Sequence, residues 1–303
     1  MLTISLCQAS YKSGSQSIEV RDLWISLAKF SFRVEHCLGF EEDDESILKA
    51  YKIEKKTSLG ITLDNKTKFI TTPNLSTPSG TRNWNAAATI STGKFILLIA
   101  DDLIPEFGWD SNIEEFISEK KITNGIFKFT DNRCQTKKHA KNDILIPRHP
   151  GMLRETYTRL GYVFDPLFNS VGPDLDLLIY GLTNGNLHDL RKIKFHHSIG
   201  RILNSNLDSN CGCFSDLSNI KTESTLSQKR MHSESTEDII KLIINKWGRL
   251  NFYLAKLACN TKFSNFLIKS IKLNRKNVST VLIFSCMTKF LLNKYLRPSF
   301  GNK

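Results

Sequence analysis

No uncharged apolar stretch in the chain is long enough to cross a bilayer. The longest of that character, Asn277 to Thr288, runs twelve residues, well short of the ~20 that a spanning helix needs. The N-terminus, Met1-Leu2-Thr3-Ile4-Ser5-Leu6-Cys7, has no basic segment ahead of a long apolar core. It reads as a first β-strand and not as a secretory signal. The phosphate-cradling patterns G-x-G-x-x-G and G-x-x-x-x-G-K-[ST] are both missing, which removes support for dinucleotide-binding and P-loop chemistry. No internal repeat is found. The seven cysteines are odd in number and irregularly spaced, and only Cys211 and Cys213 lie close together. A zinc site would need a second pair of ligands at suitable spacing, so reduced thiols in a cytoplasmic protein are the expectation.

Acidic residues are missing from one end altogether. Between Ile239 and Lys303 there are thirteen Lys or Arg and no Asp or Glu, so a net charge of +12 over 303 residues leaves residues 1–238 close to neutral. A near-neutral body with a basic tail is built to meet something anionic, such as membrane lipid, nucleic acid or an acidic protein. Hydrophobic content of 40% and charged content of 24% are ordinary for a globular chain, and the length suits one large domain with an appendage.

Strand and helix signals alternate through the first two hundred residues. Strands are expected at Leu2–Cys7, Phe32–Phe40, Lys68–Thr72 and Lys94–Ala100. Helices are expected at Arg21–Phe30, Ser46–Ile53 and about Asn83–Thr92, the last closed by Gly93 as a C-cap glycine. The continuous apolar run Lys94–Ala100 suits a strand buried on both faces. Such alternation predicts an α/β domain with a largely parallel sheet flanked by helices. Residues 204–235, dense in Ser, Asn and Thr, read as a linker or loop between a domain at 1–203 and a basic helical extension at 236–303. Within that extension, helices are expected from Ser235 or Thr236 to about Leu250, near Lys262–Leu273, and at Val278–Leu296.

The run Arg82-Asn83-Trp84-Asn85-Ala86-Ala87-Ala88, then Gly93-Lys94-Phe95-Ile96-Leu97-Leu98-Ile99-Ala100-Asp101-Asp102, carries the strongest chemical signal. A buried strand that ends in two adjacent carboxylates is costly, because like charges repel and desolvation disfavours each. A divalent cation relieves both costs, and hard carboxylate oxygens suit magnesium or manganese. Strand ends in open α/β sheets are also where ligands bind. Taken alone, an Asp-Asp pair more often satisfies backbone donors of the following loop.

This stretch resembles family 2 glycosyltransferases, an inverting group with the GT-A fold. Asn85, Gly93, Phe95–Ile99 and Asp101–Asp102 match the family pattern in order and spacing, and Leu103-Ile104-Pro105 with Gly108-Trp109-Asp110 extends it. Many members carry a further Asp two positions before the acidic pair, where this chain has Ile99. The resemblance implies that Asp101 and Asp102 hold a divalent metal (Mn or Mg) and the ribose–diphosphate of a nucleoside-diphosphate sugar, with a UDP-sugar expected. Which carboxylate does which is left open.

A second match, Arg159-Leu160-Gly161-Tyr162-Val163-Phe164-Asp165-Pro166 and Gly172-Pro173-Asp174-Leu175-Asp176-Leu177, resembles the family's acceptor-side motif. It implies that Asp174 is the general base for inverting transfer. Alternatively, Asp174 and Asp176 are helix N-terminal carboxylates facing the macrodipole, and both readings can hold together. After Lys192-Ile193-Lys194-Phe195, either His196 or His197 stands where some members place a metal-ligating histidine. Glu41 and Asp44, in the acidic patch after the second strand, are donor-binding candidates, or a solvated acidic loop. Arg82 is a candidate for the diphosphate, and Ser10 and Asn85 complete the donor-side set.

The resemblance covers residues 2–200. It implies a glycan or lipid-linked acceptor, and with it a station at the inner face of a membrane. The basic stretch 239–303 then reads either as a helical subdomain or as an attachment to anionic lipid, each basic residue near such a surface contributing ~1 kcal/mol. Nucleic acid is the weaker partner, since no recognition motif accompanies the lysines and aromatics. Two rivals to an active transferase remain: a catalytically silent GT-A-like module that binds glycan or scaffolds an assembly, and a nucleotidyltransferase using the same kind of metal site.

Overall fold

The computed structural model of the chain describes residues 1–75, 78–131, 145–197 and 236–258. In chain order the elements are β1 (Ile4–Ala9), α1 (Gly14–Ser26), β2 (Val34–Glu41), α2 (Glu45–Tyr51), β3 (Leu59–Ile61), β4 (Thr67–Thr72), α3 (Gly80–Thr89) and β5 (Phe95–Ala100). There follow β6 (Leu103–Pro105), α4 (Trp109–Glu119), β7 (Ile126–Asp131), β8 (Gly151–Leu153), α5 (Arg154–Leu160), α6 (Pro173–Thr183), β9 (Leu187–His197) and α7 (Thr236–Ala258). The strands form one nine-stranded sheet in the order β3-β4-β2-β1-β5-β8-β7-β9-β6. Its centre, β4-β2-β1-β5, is parallel, as expected of βαβ connections. Antiparallel pairings then add β3 at one edge and β8, β7 and β6 on the other side.

The chain winds from β1 outward through β2 to β4, then crosses back to lay β5 on the free side of β1. That reversal makes the carboxyl ends of β1 and β5 the switch point of the sheet, where a crevice opens between diverging loops. Strand β5 is buried on both faces, as its unbroken apolar run predicts. Phe95, Leu97 and Ile99 join one core with Val20 and Trp24 of α1 and Trp109 and Ile113 of α4. Ile96 and Leu98 join the opposite core with Ala87 and Ala88 of α3. The period-two alternation of a strand accounts for this split.

Two sequence readings shift for identifiable reasons. Helix α1 starts well before Arg21, because Ser17 and Arg21 occupy buried positions where apolar side chains were expected. Helix α3 starts at Gly80, where the Ser79 hydroxyl caps it by accepting the Arg82 amide at 3.1 Å, and it has already ended at Thr89. Gly93 is therefore not its C-cap. A Cβ there would stand 2.5 Å from the Ser5 hydroxyl and 2.7 Å from the Ser5 backbone nitrogen, so glycine is required by close approach to β1.

Glu35 organises the same junction. Its carboxylate accepts from the amides of Thr92 (2.5 Å) and Gly93 (2.9 Å), the Ser5 hydroxyl (2.5 Å) and the Lys68 ammonium (2.6 Å). Burial alone would raise its pKa, but Lys68 and the donors of Ser5 and Thr92 outweigh it and bring the group down to about 2.

The first helix of the basic extension is no free appendage. Ile239, Ile243, Phe252 and Ala255 of α7 are buried against Phe168 and against Leu178 and Ile179 of α6. Gly248, at φ +80°, bends it midway. The expected linker at 204–235, and the helices expected at 262–273 and 278–296, lie outside the described residues.

Because Glu35 has a depressed pKa in the folded chain, its stabilisation is full above the ordinary carboxylate range and is lost as pH falls toward 2. Glu35→Gln is expected to lower unfolding free energy at pH 7 by about 2 kcal/mol. Urea titrations at pH 7 and pH 3 should show the gap to wild type narrowing with acid; an equal gap at both would contradict this account.

Candidate functional site

The parallel register sets Ala9 of β1 beside Ala100 of β5. Ser10 and Asp101, the next residue of each chain segment, therefore emerge together into the crevice. Ser10 donates to Asp101 Oδ2 at 2.8 Å, and the Ser13 hydroxyl donates to the same oxygen. Gln8 Nε2 donates to Oδ1 at 2.6 Å, and Gln16 Nε2 holds the Asp101 carbonyl at 2.8 Å. Burial pushes the Asp101 carboxyl up to about 6; the Ser13, Ser10 and Gln8 donors pull against this, and the charge of Asp102 adds to it. A carboxylate offers about four acceptor positions, and these donors fill three of them. Asp102, half-buried, comes next in the chain.

Strand β6 follows directly and pairs with the end of β9, setting Leu103 opposite His197 and Ile104 opposite His196. The histidine pair thus reaches the backbone just beyond the acidic pair. His196 Nε2 lies 3.5 Å from Glu106 Oε1. Among the described residues, no three His, Cys, Asp or Glu side chains already converge as a cation site. Ile99, where many members of the resembled family carry Asp, is fully buried in the α1-side core, and its carbonyl accepts from Trp84 Nε1 at 2.8 Å.

The other donor-side candidates are drawn into the framework. Glu41 is buried at the end of β2 and accepts from Arg82 Nη2 at 2.9 Å and from the Ser79 amide at 3.3 Å. Asp44 caps α2 through the Ile47 amide (3.2 Å) and takes the Lys12 amide at 2.6 Å, which closes the β1–α1 loop. Asn85 accepts from the amides of Val163 and Phe164, both at 3.0 Å, and donates to the Phe164 carbonyl at 2.6 Å. It clamps the first motif to the second. Asp110 accepts the amides of Lys29 (2.7 Å) and Phe30 (2.8 Å), so the Trp-Asp pair is a structural tie between α4 and the end of α1.

Asp174 and Asp176 both stand in the first turn of α6, where the helix dipole favours negative charge. Asp174 is half-buried, with one oxygen accepting the Leu175 amide at 2.8 Å. Asp176 is buried and binds Lys246 Nζ at 2.9 Å and Trp247 Nε1 at 2.6 Å, both from α7. The same ammonium reaches Asp165 at 2.5 Å. Burial raises the Asp176 pKa against the pull of Trp247 and Lys246, and Lys246 itself is held above its ordinary value by the two carboxylates despite its own burial. Lys246 therefore fastens together the two halves of the second motif.

Gln8, Ser13, Gln16, Lys246 and Trp247 are the residues of this region that sequence reasoning passed over. A glutamine in the otherwise apolar strand Ile4–Ala9, and the serine-rich turn Ser10-Tyr11-Lys12-Ser13-Gly14-Ser15, were the available signals. Lys246 was one of the thirteen basic residues of the acid-free stretch from Ile239 to Lys303, with nothing in the sequence to set it apart.

No protein-family model and no curated protein sequence matches the chain. Solved structures do. A mannosyltransferase from Pyrobaculum calidifontis, in complex with GDP-Man and Mn2+, superposes with a TM-score of 0.50 at 10% identity over 96% of this chain and 81% of that one. Residues 1–349 of S. aureus TarS match with a TM-score of 0.50, at 13% identity in complex with UDP-GlcNAc (88% of this chain, 84% of that one) and at 12% with UDP (92% and 93%). The architecture is that of GT-A glycosyltransferases.

Lys246→Met leaves Asp165 and Asp176 facing each other without a cation. It is expected to destabilise the chain by about 2 kcal/mol, below the cost for a fully buried pair because Lys246 keeps some solvent contact. Adding Asp165→Asn should recover part of the loss in a thermal melt; strict additivity of the two substitutions would show that the pairing contributes nothing.

Proposed function

We propose that the chain is a metal-dependent, inverting glycosyltransferase that moves a sugar from a nucleoside-diphosphate donor, a UDP-sugar by preference, to a glycan or lipid-linked acceptor. The observation that carries this reading is the pair Asp101–Asp102 at the switch point of a GT-A sheet, with the hydroxyls of the β1–α1 loop turned onto it.

The chain's own groups divide the work. Asp101, already holding three donors, shapes the floor of the donor site and keeps one acceptor position. Asp102 is the carboxylate assigned to the cation, with His196 or His197, on the strand that pairs with β6 directly after it, as the imidazole. These hard oxygens and an imidazole fit Mn or Mg. When bound, such an ion supplies positive charge for the departing diphosphate. Asp174, at the N-terminus of α6, takes the proton of the acceptor hydroxyl as it attacks. Arg82, paired with Glu41 at 2.9 Å, is assigned to the diphosphate. Residues 1–203 form the catalytic unit, and the basic stretch 239–303 is assigned to an anionic membrane surface at the cytoplasmic face.

One observation favours a rival, a catalytically silent module of the same fold: the Asp101 carboxylate is largely satisfied by protein donors. The two readings part on ligand-linked stability. The full chain would be melted with UDP, GDP, CDP, dTDP and ATP, with and without Mn2+, beside Asp101→Asn and Asp102→Asn. A ligand at 100 times its Kd stabilises by about 2.7 kcal/mol. The expected result is that one diphosphate raises wild-type Tm only with metal, and that Asp102→Asn abolishes the shift. No shift with any nucleotide would replace the active enzyme by the silent module, and a shift with ATP alone would favour a nucleotidyltransferase.

A further inference from the structure

We infer that Gln8 and His36 are positioning residues that hold the Asp101 carboxylate through a buried, one-way chain of hydrogen bonds starting at Arg21. The role rests on Asp101 belonging to the donor site as proposed above; the chain itself is independent of it.

Each link fixes the next. The Asp101 carboxylate accepts, so the Gln8 atom at 2.6 Å from Oδ1 is the amide nitrogen. The Gln8 carbonyl oxygen is then the atom that faces His36 Nε2 at 2.7 Å, and it too can only accept. The hydrogen of this contact therefore sits on His36 Nε2. His36 is buried and lies in the field of the Arg21 charge, which together push its pKa to about 3 and keep the ring neutral. Its Nδ1 is left with a lone pair, so the Thr67 hydroxyl at 3.0 Å donates to it. The Thr67 oxygen in turn accepts from Arg21 Nη1 at 3.0 Å. Arg21 is itself anchored by Asp22 and Asp64, each at 2.9 Å.

The chain thus runs from a guanidinium, through a hydroxyl, an imidazole and an amide, to a carboxylate, with every donor pointing the same way. Gln8, His36, Thr67 and Arg21 are all at most 3% exposed. Turning the Gln8 amide over would set oxygen against oxygen at Asp101 and N–H against N–H at His36. Only one arrangement satisfies all five groups, so the network specifies one rotamer and one tautomer. Packing four polar side chains inside a sheet costs more than apolar residues of the same shape unless all are paired. What this arrangement delivers is a fixed Oδ1, while Ser10 and Ser13 fix Oδ2; the carboxylate plane cannot rotate, and its remaining acceptor position has a set direction.

The test uses the full-length chain. Long-range 1H–15N spectra of uniformly labelled protein should show His36 neutral with its hydrogen on Nε2; an Nδ1–H or doubly protonated ring at pH 7 overturns the chain. Binding of the diphosphate that stabilises wild type would then be measured with metal in Gln8→Met, His36→Leu and His36→Gln. Gln8→Met keeps the volume and removes the donor, so it serves where His36→Leu fails to fold. Loss of such an outer partner is expected to weaken binding about 10- to 100-fold. His36→Gln, which can donate on one side and accept on the other, should recover most of it. Unchanged binding in folded Gln8→Met overturns the positioning role alone, as does equal weakening in His36→Gln. If no nucleotide binds wild type, the donor-site reading falls and the role with it, while the tautomer still decides whether the chain exists.

Discussion

The contact between β1 and β5 governs what the rest of the molecule can do. Laying β5 on the free side of β1 in the observed register brings Ser10 and Asp101 out of the sheet side by side. A carboxylate desolvated there, next to a second one, would be expelled or protonated without compensation. Three neutral donors from β1 and its following loop supply that compensation. The close approach of Gly93 to Ser5 at the other end of β5 keeps the same register, and Glu35 ties that junction to β2 and β4 through Lys68.

Much of the fold was legible because its strongest signals are periodic. The run Phe95–Ile99 suited a strand covered on both faces, and the alternation around it predicted the parallel centre. What stayed hidden had weak or mixed periodicity. Three-residue strands such as β3, β6 and β8 give no pattern, and α1 disguises its buried face with Ser17 and Arg21. Motif reading singled out Asp101 and Asp102 because paired carboxylates at a buried strand end are costly, and Asp174 through the family resemblance. It assigned ligand roles to Asn85 and Asp44, whose polar atoms here serve backbone amides of the framework. A single side chain can satisfy a motif and a structural need at once, and spacing alone does not separate them.

The basic extension shows a similar limit. Charge composition separated residues 239–303 from the body, yet α7 packs its apolar face into the body's third core and sends Lys246 and Trp247 onto Asp165 and Asp176. Composition registers the average over a segment, whereas one lysine inserted between two carboxylates is an exception to that average. Lys246 and Trp247 thereby tie α7 to the first turn of α6, the turn that also holds Asp174.

The substitution at Ile99 bears on how the acidic pair can work. An Asp there would be a third carboxylate, at a position fully buried in an apolar core with Leu6, Val20 and Trp24. With Ile99 the strand closes as apolar core, and its last carbonyl is spent on Trp84. Only then can Asp101 sit deep and be held by hydroxyls and an amide without needing a charged partner. Its pKa near 6 marks the cost that remains. Under the proposed reading, Asp101 has become the rigid member of the pair, and Asp102 inherits the charge chemistry. On that reading the division of roles follows from the donors, because Gln8, Ser10 and Ser13 all turn onto Asp101 and fix it in place.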